Sequence, residues 1–239
     1  MRNENAVLMA AGKGERMRPL TLKTPKPLVR VHNTPMIETV ISGLQRRGVK
    51  NIYVVVGYLG EQFAYLKDKY KNLEIIENPE YTVKNNISSV YAAADVLEQG
   101  DCFICEADLF VSDPAIFDFD LENSCYYGKF VEGHSDDWVF DTDKSGRITH
   151  IGKYGDDCYN MCGICFFKKD DAKIIADAIR KTYNAPGNEQ LYWDEVVDKN
   201  LARVKMTVQP VGKEQIVEID SVAELEVVDP DYGKYNKEA

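Results

Sequence analysis

The 239-residue sequence has no run of 18 apolar residues, and its opening Met-Arg-Asn-Glu-Asn lacks a hydrophobic signal region. A membrane-spanning helix and a secretory leader are therefore not expected, and a cytoplasmic protein is. Positive charge is also scarce. Lys and Arg total 29 against 39 Asp and Glu, for a net charge of −10 and a pI near 4.9. That balance argues against a protein that coats nucleic acid, which would need a basic face. The commoner phosphate loops are missing: there is no G-x-x-x-x-G-K-[ST], and the glycines do not complete G-x-G-x-x-G. No internal repeat or low-complexity linker interrupts the chain. Six cysteines include two C-x-x-C pairs, Cys102/Cys105 and Cys162/Cys165. Both lie in β-prone runs, where positions i and i+3 face opposite ways, whereas zinc pairs sit on turns. Reduced, core-packed thiols are the expectation.

What the sequence does have is a concentrated basic loop. Ala6-Val7-Leu8-Met9 runs into Ala10-Ala11-Gly12-Lys13-Gly14, a pattern for a buried strand ending in a tight turn. Small residues there let backbone N–H groups approach a ligand closely. Between Gly12 and Arg30 lie six cations (Lys13, Arg16, Arg18, Lys23, Lys26 and Arg30) and one acid, Glu15, leaving about −15 on the rest. The functional reading is an anion site for a polyphosphate, and the alternative is a solvated loop.

Downstream, apolar periodicity alternates between helix and strand. Pro35-Met36-Ile37 starts a helix through Gly48, with Ile37, Val40, Ile41 and Leu44 inward. Asn51–Val56 reads as a strand buried on both faces, followed by a helix over about Gly60–Tyr70 and a strand at Leu73–Ile76. Asn85, Asn86, Ser88 and Ser89 are N-cap residue types before another helix, and they could present polar groups to a base or phosphate. Cys102–Cys105 is a strand ending in Glu106-Ala107-Asp108. A carboxylate just past a central strand either ligates Mg²⁺ or caps the next segment. Four short strands follow (Cys125–Phe130, Trp138–Thr142, Arg147–Ile151 and Met161–Phe167), with a hairpin turn at Asp143–Gly146. Helices at Asp170–Tyr183, with an Asp N-cap, and at Leu191–Leu201 precede strands around Met206–Val211 and Gln215–Ile219. Asp220 ends the last strand, as a second metal ligand or as the cap of a helix from Ser221. The alternation implies an α/β fold with a Rossmann-like doubly wound, mostly parallel mixed sheet flanked by helices. A β-rich section facing the substrate is inserted into it. Asp136-Asp-Trp138 and Leu191-Tyr-Trp-Asp-Glu195 place aromatics beside carboxylates, a setting that suits a quaternary ammonium, while each Trp alone could be core.

A-A-G-x-G-x-R-M-x-P-L-T…T-P-K-P-L resembles the signature of nucleotidyltransferases that make activated sugars and alcohols. Together with Gly57–Leu66, Asn85-Asn86, Leu191–Asp194 and Glu218–Ser221, the chain resembles the bacterial CTP:phosphocholine cytidylyltransferases. The resemblance implies Mg²⁺-dependent attack of the phosphocholine phosphate on the α-phosphorus of CTP, giving CDP-choline and pyrophosphate. Asp108 and Asp220 would hold the metal, with Lys26 and Arg16 offsetting phosphate charge. Residues 10–14 with Asn85, Asn86, Ser88 and Ser89 would contact the nucleotide. Trp138, Tyr192, Asp194 and Glu218 would form the acceptor pocket. The family more often has Asp where this chain has Glu106. Relatives that activate 2-aminoethylphosphonate define the alternative, because a primary ammonium needs hydrogen-bond acceptors more than an aromatic cage. A sugar-1-phosphate enzyme is the more distant option. One domain over 1–239 is drawn, with a nucleotide half to about 112, an acceptor half over about 113–228 and a loose tail over 229–239.

Overall fold

In a computed structural model, described over residues 3–233, eleven strands and seven α-helices follow in chain order. The first half runs β1 (Glu4–Ala10), β2 (Arg30–Val31), β3 (Thr34–Pro35), α1 (Met36–Arg47), β4 (Asn51–Val56), α2 (Tyr65–Lys69), β5 (Leu73–Glu77), α3 (Ile87–Ala92), α4 (Ala94–Leu97), β6 (Asp101–Glu106) and β7 (Leu109–Val111). The second half comprises β8 (Ser124–Thr142), β9 (Ile148–Phe167), α5 (Lys169–Tyr183), α6 (Trp193–Asp198), β10 (Met206–Pro210), β11 (Ile216–Glu218) and α7 (Val222–Val228).

Seven strands form one mixed sheet in the order β10-β8-β9-β6-β1-β4-β5. β1 pairs in parallel with β4 and β6, β4 in parallel with β5, and β9 runs antiparallel to β6. Both faces of the sheet are covered. Leu8, Val54 and Phe103 pack with Ile37, Val40 and Leu44 of α1, while Val7, Val55 and Ile104 pack with Ile175 and Ile179 of α5 and Val196 of α6. This two-sided burial explains why β1 and β4 are unbroken apolar runs. The chain builds outward from β1 through β4 to β5, then returns to the other side of β1 at β6. The loop after β1 therefore lies at the point where strand order reverses, where doubly wound sheets hold ligands.

The structure revises several boundaries expected from the sequence. The helix expected over about 60–70 is a 3-10 turn, Gly60–Phe63, followed by α2. The four middle strands merge into two long ones, β8 and β9, paired with each other through successive register shifts. The polar Gly133-His-Ser-Asp-Asp and Gly155-Asp-Asp segments read as breaks, but each finds its partner in the other strand. α5 is capped by Lys168 and not by an Asp. The Lys168 and Lys169 amides donate to Ser124 Oγ (2.9 Å) and Asp101 Oδ1 (2.8 Å), which leaves Asp170 in the first turn. Asp229 is docked: it is buried and accepts from the His32 amide at 2.7 Å. Of the expected loose tail, 234–239 lies outside the described residues. The cysteines of each C-x-x-C pair fall on opposite sides of the sheet, Cys105 and Cys162 on the α1 side, Cys102 and Cys165 on the α5 side. Burial raises the thiol pKa of all four.

Candidate active site

The site begins at the end of β1, where Ala10, Ala11 and Gly12 form the floor of a cavity of about 660 Å³. Gly14 adopts φ 60°, and a Cβ there would lie 2.8 Å from Cβ of Lys26. The turn thus needs glycine both for its left-handed backbone and for contact with the lysine. Thr21 Oγ1 donates to the Gly14 carbonyl at 2.7 Å and fixes the loop from outside.

Lys26 is the centre of a charged cluster. Its Nζ donates to Asp108 Oδ2 at 2.6 Å and to Asp220 Oδ1 at 2.5 Å, and Arg16 reaches the other Asp220 oxygen at 2.9 Å. Asp108 and Asp220 are 112 positions apart in sequence. Antiparallel pairing of β7 with β11, with Leu109 opposite Glu218, brings them together. Asp108 immediately precedes β7, and Asp220 follows β11 by two residues. Asp220 does not cap α7: Ser221 does, accepting from the Glu224 amide. Burial opposes charge on Lys26, but the two carboxylates outweigh it and hold its pKa above the ordinary lysine value.

Further acidic and aromatic residues line the same cavity. Glu106 ends β6, Glu218 ends β11 and Asp194 lies in α6, and all three line the cavity with Trp138 of β8 and Tyr192. Asp194 is buried and accepts from Tyr126 Oη at 2.9 Å. Burial pushes its pKa up to about 7 despite that bond. Burial, then the Glu218 and Asp108 charges, raise Glu106 well above the carboxylate range. Glu218 is exposed where it faces the cavity; partial desolvation of its carboxyl, with the Asp108 and Asp220 charges, pushes its pKa up to about 8. Trp138 and Tyr192 meet edge to face, with ring centroids 5.5 Å apart. Gly163, at φ 66°, lets Glu106 sit here, since a Cβ would lie 2.7 Å from Glu106 Oε2.

The structure gathers Arg16, Lys26, Ala10, Ala11, Gly12, Gly14, Asn85, Asn86, Ser88, Ser89, Asp108, Trp138, Tyr192, Asp194, Glu218 and Asp220 around this one cavity. Lys13 is not among them. It is exposed to solvent. The polar groups of the Asn85–Ser89 segment largely serve the protein itself. Asn85 Nδ2 donates to the Gln190 carbonyl, Asn86 Oδ1 accepts from the Trp193 amide, and Ser88 Oγ accepts from Asn78 Nδ2. These bonds tie the start of α3 to the segment before α6. Asp137, from the acidic pair noted beside Trp138, also lines the cavity, whereas sequence reasoning missed Asn78, Lys153, Gly163 and the cavity-facing role of Glu106. For Asn78 and Glu106 the signal was position, just past β5 and at the end of β6.

Among the described residues, no group of three or more His, Cys, Asp or Glu converges to hold a metal on its own. The two carboxylates on Lys26 are hard oxygen donors open to the cavity. They suit Mg²⁺, which binds through one or two carboxylates and takes its other ligands from phosphates and water.

The model of the Nucleotidyl transferase family matches residues 5–126, just over half of the chain. The 2-aminoethylphosphonate cytidylyltransferase of Lancefieldella rimae is 54% identical over 228 residues, spanning 95% of this chain and 93% of the relative. The choline-phosphate cytidylyltransferase of Streptococcus pneumoniae is 33% identical over 229 residues, 91% of this chain and 93% of the relative. The solved CTP:phosphocholine cytidylyltransferase from Streptococcus pneumoniae superposes with a TM-score of 0.87 at 31% identity, covering 96% of this chain and 99% of that one.

Proposed function

The chain belongs to the nucleotidyl transferase family and is a cytidylyltransferase, and on that premise we propose that it transfers CMP from CTP to 2-aminoethylphosphonate. An oxygen of the phosphonate attacks the α-phosphorus of CTP, the bond from that phosphorus to the bridging oxygen breaks, and pyrophosphate leaves. An ionised phosphonate has no proton to lose, so no general base is required. The protein's tasks are alignment and neutralisation of charge. Lys26 and Arg16, positioned by Asp108 and Asp220, supply the positive charge that faces the triphosphate. Mg²⁺, when bound by Asp108 and Asp220, would neutralise phosphate charge further.

The observation that carries the choice of acceptor is the acidic lining of the cavity beside Lys26. Glu106, Asp194 and Glu218 line the cavity together; a bound ammonium favours their ionised form, and a primary ammonium can donate hydrogen bonds to their oxygens whereas a trimethylammonium cannot. The relative that is 54% identical is named for 2-aminoethylphosphonate, and the one at 33% for choline phosphate. Both lines move the acceptor from phosphocholine, to which the sequence motifs pointed, to the aminophosphonate. A ³¹P NMR experiment with CTP, Mg²⁺ and 2-aminoethylphosphonate tests the reaction. Paired resonances of a phosphonate–phosphate anhydride, with pyrophosphate, are expected. Release of orthophosphate alone, or product formation undiminished by EDTA, would count against it.

A further inference from the structure

Trp138 and Lys153 stand directly opposite one another in the β8–β9 pairing, so their side chains emerge on the same face of the ribbon. Both line the cavity, and Lys153 Nζ lies 5.6 Å from the Trp138 ring centroid. Tyr192 meets the same indole edge to face. Among the described residues Lys153 makes no ion pair, and its ammonium is stabilised by the Trp138 ring. We propose that Lys153 determines acceptor specificity: its ammonium occupies the cation position over Trp138 that a quaternary ammonium would need, and so biases the cavity towards primary ammonium acceptors. The inference rests on the acceptor reading given above.

A quaternary ammonium donates no hydrogen bond and is held by aromatic faces together with net negative charge. Here the Trp138 ring already serves one cation, and a second cation on it would meet like charge. A primary ammonium is not so constrained. It can donate to the carboxyl groups that line the same cavity, Glu106, Asp194 and Glu218, without using the indole. Strand register sets the Lys153 and Trp138 backbones opposite one another, within reach of the observed contact.

The test uses the full-length protein and its Lys153→Met and Lys153→Arg variants. Initial rates of pyrophosphate release are measured at saturating CTP with 2-aminoethylphosphonate and with phosphocholine. Lys153 is exposed, and thermal melting checks that both variants fold. Lys153→Met should raise the ratio of phosphocholine to aminophosphonate kcat/KM about 10-fold, mainly through a lower phosphocholine KM. Lys153→Arg, which keeps the cation, should leave the ratio near wild type. An unchanged ratio in Lys153→Met overturns the inference alone. So does a parallel rise in KM for both acceptors, which would make Lys153 a contact to the shared phosphorus group. A wild-type protein that uses neither acceptor overturns the underlying reading, and the inference with it.

Discussion

Replacing Lys26 with methionine removes the one charge that joins both halves of the site while preserving most of the side-chain stem. The Lys26 side chain is 8% exposed, and its partners Asp108 and Asp220 are 26% and 21% exposed. Removing one partner of a fully buried ion pair costs about 3–5 kcal/mol, because the remaining charge is left uncompensated. Solvent reaching both carboxylates, and Arg16 on Asp220, bring the expected loss to about 2 kcal/mol. For a chain of this size that is a drop of roughly 4–8 °C in melting temperature. The double variant Lys26→Met/Asp108→Asn should recover part of it, since it also removes the repulsion between the orphaned carboxylates. In catalysis, loss of a preorganised donor to developing phosphate charge costs about 10²–10³ in kcat. Differential scanning fluorimetry and initial-rate pyrophosphate release measure the two effects. A Lys26→Met enzyme within a few-fold of wild-type rate would refute the catalytic role. A double variant destabilised by the plain sum of its single changes would refute the electrostatic account of the triad.

Two further consequences follow from the acidic lining. Gly163→Ala places a Cβ 2.7 Å from Glu106 Oε2 at a backbone φ of 66°, so Glu106 must turn away and the backbone is strained by about 1–2 kcal/mol. The aminophosphonate KM should rise several-fold while the CTP KM holds, and movement of both together would contradict the assignment of Glu106 to the acceptor site. Asp194 has a folded-state pKa raised to about 7 by burial, so the folded protein retains a proton that the unfolded chain releases from about pH 4 upward. Stability is therefore lost as pH rises from about 4 to 7. Asp194→Asn, which still accepts from Tyr126, should gain melting temperature over wild type at pH 8 and little at pH 4.5. An equal gain at both pH values would show that the Asp194 charge is not the cause.

The parts of this fold that were legible in the sequence are those fixed by local pattern. β1 and β4 are apolar on both faces because the sheet is covered on both, and Pro35 and Gly48 bracket α1 as its ends require. Asp108 and Asp220 were each recognisable as carboxylates at strand ends. Their convergence was not, because it depends on pairing between β7 and β11, three residues each and 105 positions apart. β7 is too short to show a period. β8 and β9 were read as four strands because Gly133 and the polar residues around it look like breaks until their cross-strand partners are known. Lys153 could be placed only by register, which sequence spacing within one strand does not contain.

An equimolar competition between 2-aminoethylphosphonate and phosphocholine, with limiting CTP and Mg²⁺, tests the central claim most directly. Mass spectrometry of the two cytidine products reads the ratio of kcat/KM values in one vessel. The account predicts that the aminophosphonate product exceeds CDP-choline by at least about 10-fold, the difference that one well-placed charged hydrogen bond supplies. Equal amounts of the two products, or an excess of CDP-choline, would contradict it.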